Sequence, residues 1–311
     1  MTRYVIGRLL MLIPIALGVT FIVFTIMNLT PSDPARLMLG DLADKEAIER
    51  LNRELGYYDP FLVRYFNYVK NAVTKLDFGN SYRSGFPVFR EIFQRFPNTL
   101  RLAFLAVSCA GMIGIPIGIL SAVKQYSVVD SVTRIMSMLF AAMPVFFLGM
   151  LNIFAFSLNL RMFPSFGIET WRHFVLPVAT LALPSAASLM RLTRSTMLET
   201  INQDYIRTAR AKGASESRVI FSHALKNALL PIITILGMNF GQQLGGAIII
   251  ENVFAIPGLG QLLVNSIRLK DIPQVMASTL FLALVFTLII LIVDLLYAFI
   301  DPRVKAKYTR S

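Results

Sequence analysis

The chain is poor in the side chains that usually carry chemistry. One cysteine, two histidines and one tryptophan are all that its 311 residues hold of those types, and charged residues make up only 15%. Cys109 has no partner for an intrachain disulfide, and no CxxC pair or metal-ligand spacing occurs. There is no G-x-x-x-x-G-K-[ST], so the chain lacks a phosphate-cradling loop of its own. "GLG" at Gly258–Gly260 is half of a G-x-G-x-x-G, but position 263 is leucine and no strand precedes it. H-E-x-x-H and G-x-S-x-G are absent as well. These absences leave an intramembrane protease or any other enzyme without a site.

Apolar length is what the chain has instead. It is 55% hydrophobic, with a mean hydropathy of +0.63. Soluble domains carry about 25% charged residues, so this composition points to a polytopic membrane protein. A bilayer core of about 30 Å needs about 20 apolar residues per helix. Six stretches qualify: Leu9–Leu29, Leu100–Val123, Ile135–Leu158, Phe174–Met190, Leu229–Ile250 and Ala277–Ile300. The fourth is the shortest and is expected to be broken by Pro177 and Pro184. The first follows a basic start, but its length and the lack of an A-x-A-like site mark it as a retained span and not a signal peptide.

Charge sets the orientation. With the N-terminus placed in the cytoplasm, half of the 30 lysines and arginines fall in inside segments, whereas the two short outside loops hold only Arg161, Arg172, Arg268 and Lys270. That asymmetry follows the positive-inside rule. It also accounts for most of the net charge of +12, which leaves little reason to invoke nucleic acid as a partner. His173 and His223 then lie on opposite sides of the membrane and share no site. The expected organisation is a tail and first span over 1–30, an extracytoplasmic helical loop over 31–98, a transmembrane core over 99–300 and a cytoplasmic tail over 301–311. The core includes a cytoplasmic loop over 191–228. In the outer loop, "DKEAIERLNRELG" places Ala47, Ile48, Leu51 and Leu55 at helical spacing before Gly56, and "DPFLVRYFNYVKNAV" starts a second amphipathic helix. The pattern predicts two or three helices forming a small cap, either a packed loop or a docking surface for a partner.

Polar residues inside the spans are few. Asp294 in the sixth span is expected to pair with Arg191 or Arg194, since an unpaired charge there is costly; a coupling-ion role is the alternative. The fifth span contains "GMNFGQQLGG". Gly237, Gly241 and Gly245 recur every fourth residue and suit close helix packing. Asn239, Gln242 and Gln243 either line a watery translocation path or hydrogen-bond between helices.

"DYIRTARAKGASESR", from Asp204 to Arg218, is the charged exception between two spans. Asp204 reads as an N-cap, Arg210 and Lys212 complement the dipole of the last turn, and Gly213 fits the C′ position. Ser215 caps a second helix with Glu216 in its first turn, carrying Val219, Ile220, Leu225 and Leu229 toward Pro231. The pattern is helix, glycine turn, amphipathic helix. It suits a rigid element inserted into a partner's groove, although a basic loop attracted to anionic membrane lipid has the same charge.

That stretch, with the proline of "HALKNALLP" beyond it, resembles the cytoplasmic loop of permease subunits in binding-protein-dependent ABC importers. There the loop is written E-A-A-x-x-x-G-x(9)-I-x-L-P. Here Arg207, Thr208 and Ala209 stand at the E-A-A positions, Gly213 matches the glycine, and the spacing to the proline is longer. Those departures are similar to the dipeptide, oligopeptide and nickel branch. "RYVIGRLLMLIPIALGVTFIVF", "TPSDPAR", "LDFGNSYRSGFPVFREIFQRFPNTLRLA" and "ENVFAIPGLGQLLVNSIRLKDIP" resemble the same branch, and the long first loop is like its B-type permease. The resemblance implies an all-α fold of the type I importer permease class. It has six transmembrane helices, a helical extracytoplasmic cap and a cytoplasmic coupling helix, in a bacterial or archaeal cytoplasmic membrane. It implies a second homologous permease, two cytoplasmic ATPases that bind ATP and Mg²⁺, and an extracytoplasmic substrate-binding protein, with no cofactor in this chain. Arg207, Thr208, Ala209, Lys212, Gly213, Ala214, Ser215 and Glu216 would form the ATPase-coupling region. Peptides are the expected cargo, with glutathione or nickel as alternatives. A stand-alone channel, an ion-coupled carrier or a structural, lipid-binding membrane protein are the competing classes.

Overall fold

The computed structural model describes residues 2–29, 33–40 and 42–300. Those residues form helices and the loops joining them, and the one extended pairing among them is a single antiparallel bridge between Asn80 and Pro87. In order the helices are α1 (Thr2–Leu29), α2 (Pro34–Leu39), α3 (Lys45–Glu54), α4 (Phe61–Lys75), α5 (Val88–Val123), α6 (Val128–Ala142) and α7 (Val145–Asn152), which runs on as a π-helical segment over Ile153–Asn159. Then come α8 (Arg172–Ile201), α9 (Asp204–Ala211), the single turn α10 (Glu216–Arg218), a π segment over Val219–Ala224, α11 (Leu225–Val253), α12 (Leu259–Arg268) and α13 (Ile272–Ile300). Among the described residues, five helical stretches are long and apolar enough to cross a membrane, and α6 with α7 makes a sixth if that bent pair is one span.

The prolines act differently from expectation. The third span does not run as one helix over Ile135–Leu158: its two halves meet at Met143–Pro144 and bend by 103°. Proline has no N–H to donate, and its ring drives the preceding residue out of the helical region; Met143 accordingly sits at ψ 129° and Pro144 at ψ 133°. The fourth span is not broken. Pro177 and Pro184 both lie inside the 30-residue α8. Each removes one ladder bond, a loss that spans tolerate where neighbouring helices and side chains re-satisfy the backbone. α8 is the most buried of the five candidate spans, set against α5, α6, α7 and α11, and Thr180 Oγ1 donates to the Leu176 carbonyl at 2.7 Å. α11 likewise runs through Pro231.

The chain divides into two compact units. One comprises the start of α1 as far as Val5, Thr99–Ile256 and the end of α13 from Leu288. Its interior is mostly small and aliphatic: Ala110, Ala182, Ala186 and Leu189 cluster with Met197, Ile206 and Ile232, and Leu102, Leu176 and Ile250 form a second cluster with the aromatic Phe254. Between spans there is no water to expel, so association depends on close packing. Gly114 and Gly118 of α5 provide it. A Cβ on Gly114 would lie 2.8 Å from Leu189 Cβ, and one on Gly118 would lie 2.6 Å from Thr193 Cβ and 2.8 Å from the Met190 carbonyl oxygen.

The other unit comprises Ile6–Asn98 and Pro257–Thr287. The long loop contributes α2, α3 and α4 to it. α3 buries Ile48 and Asn52, and the Asn52 amide donates to Asp33 at 2.8 Å and accepts the Ala35 N–H at 3.1 Å, tying α3 to the N-terminus of α2. α4 lies along α1. The Tyr65 hydroxyl donates to the Leu17 carbonyl at 3.0 Å, and Phe21 and Phe24 stack against Phe61 and Tyr65 with ring centroids 5.2–6.1 Å apart. Such edge-on and tilted contacts are the favoured aromatic geometry. Val88, Ile92, Leu259 and Ala277 form a buried apolar cluster in this unit.

Candidate coupling loop and helix interfaces

α9 is a short helix with one buried residue, Ile206, whose side chain is packed among Met197, Val219 and Ala224. Its remaining face is exposed, with Tyr205, Arg207, Thr208, Arg210 and Lys212 turned outward. Gln203 and not Asp204 occupies the N-cap, so Asp204 stands in the first turn, where its charge suits the helix dipole. The C-terminus closes as a Schellman motif: the Gly213 N–H donates to the Arg210 carbonyl at 2.9 Å and the Ala214 N–H to the Ala209 carbonyl at 3.2 Å. Gly213 has φ +80°, a left-handed conformation that glycine adopts without penalty. No atom lies within 4 Å of where its Cβ would be, so the requirement is conformational and not steric.

The turn is clamped from outside as well. Arg210 Nε and Nη2 donate to the two Glu216 carboxylate oxygens at 2.8 and 3.2 Å, a bidentate bridge across Gly213. Those bonds raise the Arg210 guanidinium above its already high pKa, so its charge is permanent. Asn227 Nδ2 donates to the Tyr205 hydroxyl at 3.1 Å, joining α9 to the start of α11. Ser215 holds the extended N-cap conformation of α10 without a side-chain cap bond. Ala209 and Ala214 are half-buried, and Ser215 and Glu216 are exposed. The eight residues expected from the sequence for coupling therefore lie together on one turn held by the Gly213 and Ala214 N–H bonds and the Arg210–Glu216 bridge.

The polar residues of α11 separate. Gln243 is buried, and its amide donates to the Leu181 carbonyl at 3.1 Å and to Ser185 Oγ at 2.7 Å, binding α11 to α8. Gln242 is exposed. Asn239 is half-buried, and its Nδ2 is enclosed without a hydrogen-bond partner among the described residues. The three glycines also differ. Gly237 faces Val293 of α13 so closely that a Cβ would collide, Gly241 is buried, and Gly245 has open space around it.

Two features escaped the sequence reading. Asp130 in the first turn of α6 is fully buried and takes both prongs of Arg194, Nε at 2.6 Å and Nη2 at 2.9 Å. It also accepts from Ser121 Oγ at 2.6 Å and from the Tyr126 N–H at 3.0 Å. Arg194, expected beside Asp294, is thus engaged by Asp130, and Arg191 donates to the Ser137 carbonyl at 2.9 Å. The available signal was the S-x-x-D of Ser127–Asp130, a capping-box pattern that marks a helix start; the Asp130 N–H does donate to Ser127 Oγ at 3.3 Å. The second feature is "GIPIG", whose Gly114 and Gly118 make a closer helix approach than the more conspicuous Gly245.

Comparison with known proteins agrees with this architecture. A family model described as binding-protein-dependent transport system inner membrane component matches residues 114–306, and the model of its N-terminal region matches residues 1–103. The glutathione transport system permease protein GsiC of Escherichia coli (strain K12) is 42% identical over 307 residues, covering 99% of this chain and 100% of that protein. The oligopeptide transport system permease protein AppB of Bacillus subtilis (strain 168) is 43% identical over 316 residues, covering 98% of this chain and 100% of that protein. Among solved structures, a chain of the inward-facing MetNI methionine ABC transporter superposes with a TM-score of 0.57 at 21% identity, covering 68% of this chain and 97% of that one. A chain of an amino acid ABC transporter gives 0.53 at 19% identity over 69% and 94%. At those identities the structural likeness speaks for the fold alone. With family models matching both halves and relatives aligned from end to end, the chain belongs to the binding-protein-dependent transport system inner membrane components, the permease subunits of ABC importers.

Proposed function

We propose that this permease carries short peptides, glutathione-like tripeptides included, inward across a bacterial cytoplasmic membrane. The observation that carries the cargo is the near-equal, full-length identity to a glutathione permease and an oligopeptide permease. Glutathione is itself a tripeptide, so one cargo class covers both. The chain forms half of the path, with a second permease as the other half, and an extracytoplasmic binding protein delivers the solute. Both termini lie in the cytoplasm, as the basic residues around α9 suggest. Two cytoplasmic ATPases hold ATP and Mg²⁺, and this chain itself hydrolyses nothing.

The clamped turn at Gly213 is the coupling element. Its exposed face, Arg207 to Glu216, seats in an ATPase cleft, and its buried residue Ile206 transmits the ATPase movement into α8 and α11. Asn239, with its unpartnered amide nitrogen, is the residue of α11 best suited to meet a polar solute.

Purification in mild detergent from the native membrane tests the assembly. Two ATPases and a second six-span permease are expected to accompany the chain; a chain recovered alone would refute the importer. Gly213→Asp tests the coupling. The variant is expected in the membrane at normal abundance, with uptake of a labelled tripeptide reduced roughly tenfold or more, the loss that follows removal of about 1.4 kcal/mol of docking energy. Normal uptake would refute the docking role.

A further inference from the structure

The unit containing α4 and α12 holds a charged cleft that the coupling machinery does not use. It encloses about 580 Å³ and is lined by Arg83, Ser84, Glu91, Arg95, Asn265 and Arg268, among others. That volume lies within the range of about 300–1,000 Å³ typical of small-ligand sites. α5 has 36 residues, hence about 54 Å of length against a hydrocarbon core of about 30 Å. Its apolar run lies toward its C-terminus, so the first turns, with Glu91 and Arg95, project beyond the core.

The wall of the cleft is built, and its charges are left over. Asp271 is buried and already committed: Ser81 Oγ donates to it, as do the Tyr82 N–H at 3.1 Å and the Gln274 N–H at 3.4 Å. Those bonds fix the loop carrying Arg83 to the turn preceding α13. They also leave Asp271 little capacity to pair with an arginine. Glu91 and Arg95 stand one helical turn apart on α5, a spacing that favours pairing, yet they form no ion pair. Arg83 and Arg268 have no carboxylate partner either among the described residues. Three unpaired guanidiniums and one unpaired carboxylate therefore border one concave space.

We propose that this cleft receives the free carboxylate of the peptide, with Glu91 placed to take its ammonium group. The proposal rests on the peptide reading above. Guanidinium forks hold carboxylates by paired, charge-assisted hydrogen bonds, and Glu91 supplies the opposite charge a zwitterion needs. A round space of this volume is about 10 Å across, the reach of an extended tripeptide at about 3.3–3.6 Å per residue. In the proposed topology the cleft opens on the outer side, where cargo arrives.

The test is photolabelling of the full chain, copurified with its partners, in phosphatidylcholine nanodiscs. The probe is a tripeptide, Ala-benzoylphenylalanine-Ala, offered with free termini and as its C-terminal amide. The free acid is expected to label segments 81–95 and 262–271, with the amide labelling roughly tenfold less, as does the acid on the Arg95→Gln/Arg268→Gln variant. Equal labelling by acid and amide on the unaltered chain would overturn the proposal, whatever the variant does. Phosphatidylglycerol in the nanodisc is expected to leave labelling unchanged; its abolition would assign the arginines to lipid phosphate and overturn the solute site. Uptake of the same tripeptide, measured in parallel, separates the two claims. Uptake without labelling sinks the cleft alone, whereas labelling without uptake leaves an anion site and sinks the peptide importer.

Discussion

Two arginine–carboxylate bridges in this chain have almost the same geometry and opposite settings. Arg194 grips Asp130 at 2.6 and 2.9 Å, and Arg210 grips Glu216 at 2.8 and 3.2 Å. The Asp130 side chain is 0% exposed and that of Arg194 20%, against 39% for Arg210 and 63% for Glu216. Hydrogen-bond geometry alone would rank them as equals. Burial separates them, because an exposed pair is screened by water whereas a buried one cannot lose a partner without stranding a charge. The first bridge therefore holds helices together, and the second only shapes a surface. The spread of their partners fits that division: Asp130 and Arg194 join α6 to α8 across 64 positions, while Arg210 and Glu216 are six apart on one turn.

The largest expected effect is at the buried bridge. Asp130→Ala leaves the Arg194 guanidinium without its carboxylate and also frees Ser121 and the Tyr126 N–H. The expected cost is about 3 to 5 kcal/mol, read as a lower melting temperature in detergent and less folded chain in the membrane. Replacing both partners, Asp130→Leu with Arg194→Met, is expected to recover most of that loss, since well-packed apolar residues often match a buried pair. If Asp130→Ala melted like the unaltered chain, burial would not be what distinguishes the two bridges.

A second contrast of settings, at glycines, is expected to be smaller. A Cβ on Gly118 meets Thr193 and the Met190 carbonyl at under 3 Å, whereas Gly245 has nothing within 4 Å. Gly118→Ala forces α5 away from α8 at a cost of about 1 to 3 kcal/mol, while Gly245→Ala is expected to be neutral or slightly stabilising, because alanine is the better helix former. Thermal melting of the two variants side by side checks this. Equal stability would show that the α5–α8 contact gives way without cost.

The sequence conveyed what depends on neighbours in the chain. Five of the six apolar runs, the glycine turn at Gly213 and the helices before Gly56 and after Pro60 follow from local periodicity and capping and are present among the described residues, while the third run is split into the bent pair α6 and α7. It did not convey what depends on partners far away. Pro144 breaks its span, whereas Pro177 and Pro184 do not break theirs. The residues give the same signal, and only the packing of α8 against α5, α6, α7 and α11 decides the outcome. Asp130 carries no signal in the sequence beyond a helix start, because its partner Arg194 lies 64 positions away. Asn239, Gln242 and Gln243 looked like a group, yet consecutive helix positions turn through about 100°, so Gln243 is buried against α8 while Gln242 faces outward.

The smallest expected effect on stability carries the most functional weight. Arg210→Gln removes the exposed bridge, but the Schellman bonds at Gly213 and the Ile206 anchor remain. Melting temperature is therefore expected to stay unchanged within measurement. Uptake is expected to fall severalfold, because the permanent charge of Arg210 and the alignment of Glu216 belong to the surface proposed to meet the ATPase. Glu216→Gln should reproduce that behaviour, and charge exchange, Arg210→Glu with Glu216→Arg, separates two causes. If the bridge only rigidifies the turn, the exchange restores uptake. If Arg210 contacts the ATPase directly, the exchange restores the bridge and uptake stays low. A drop in melting temperature for Arg210→Gln comparable to that of Asp130→Ala would erase the distinction between the two bridges.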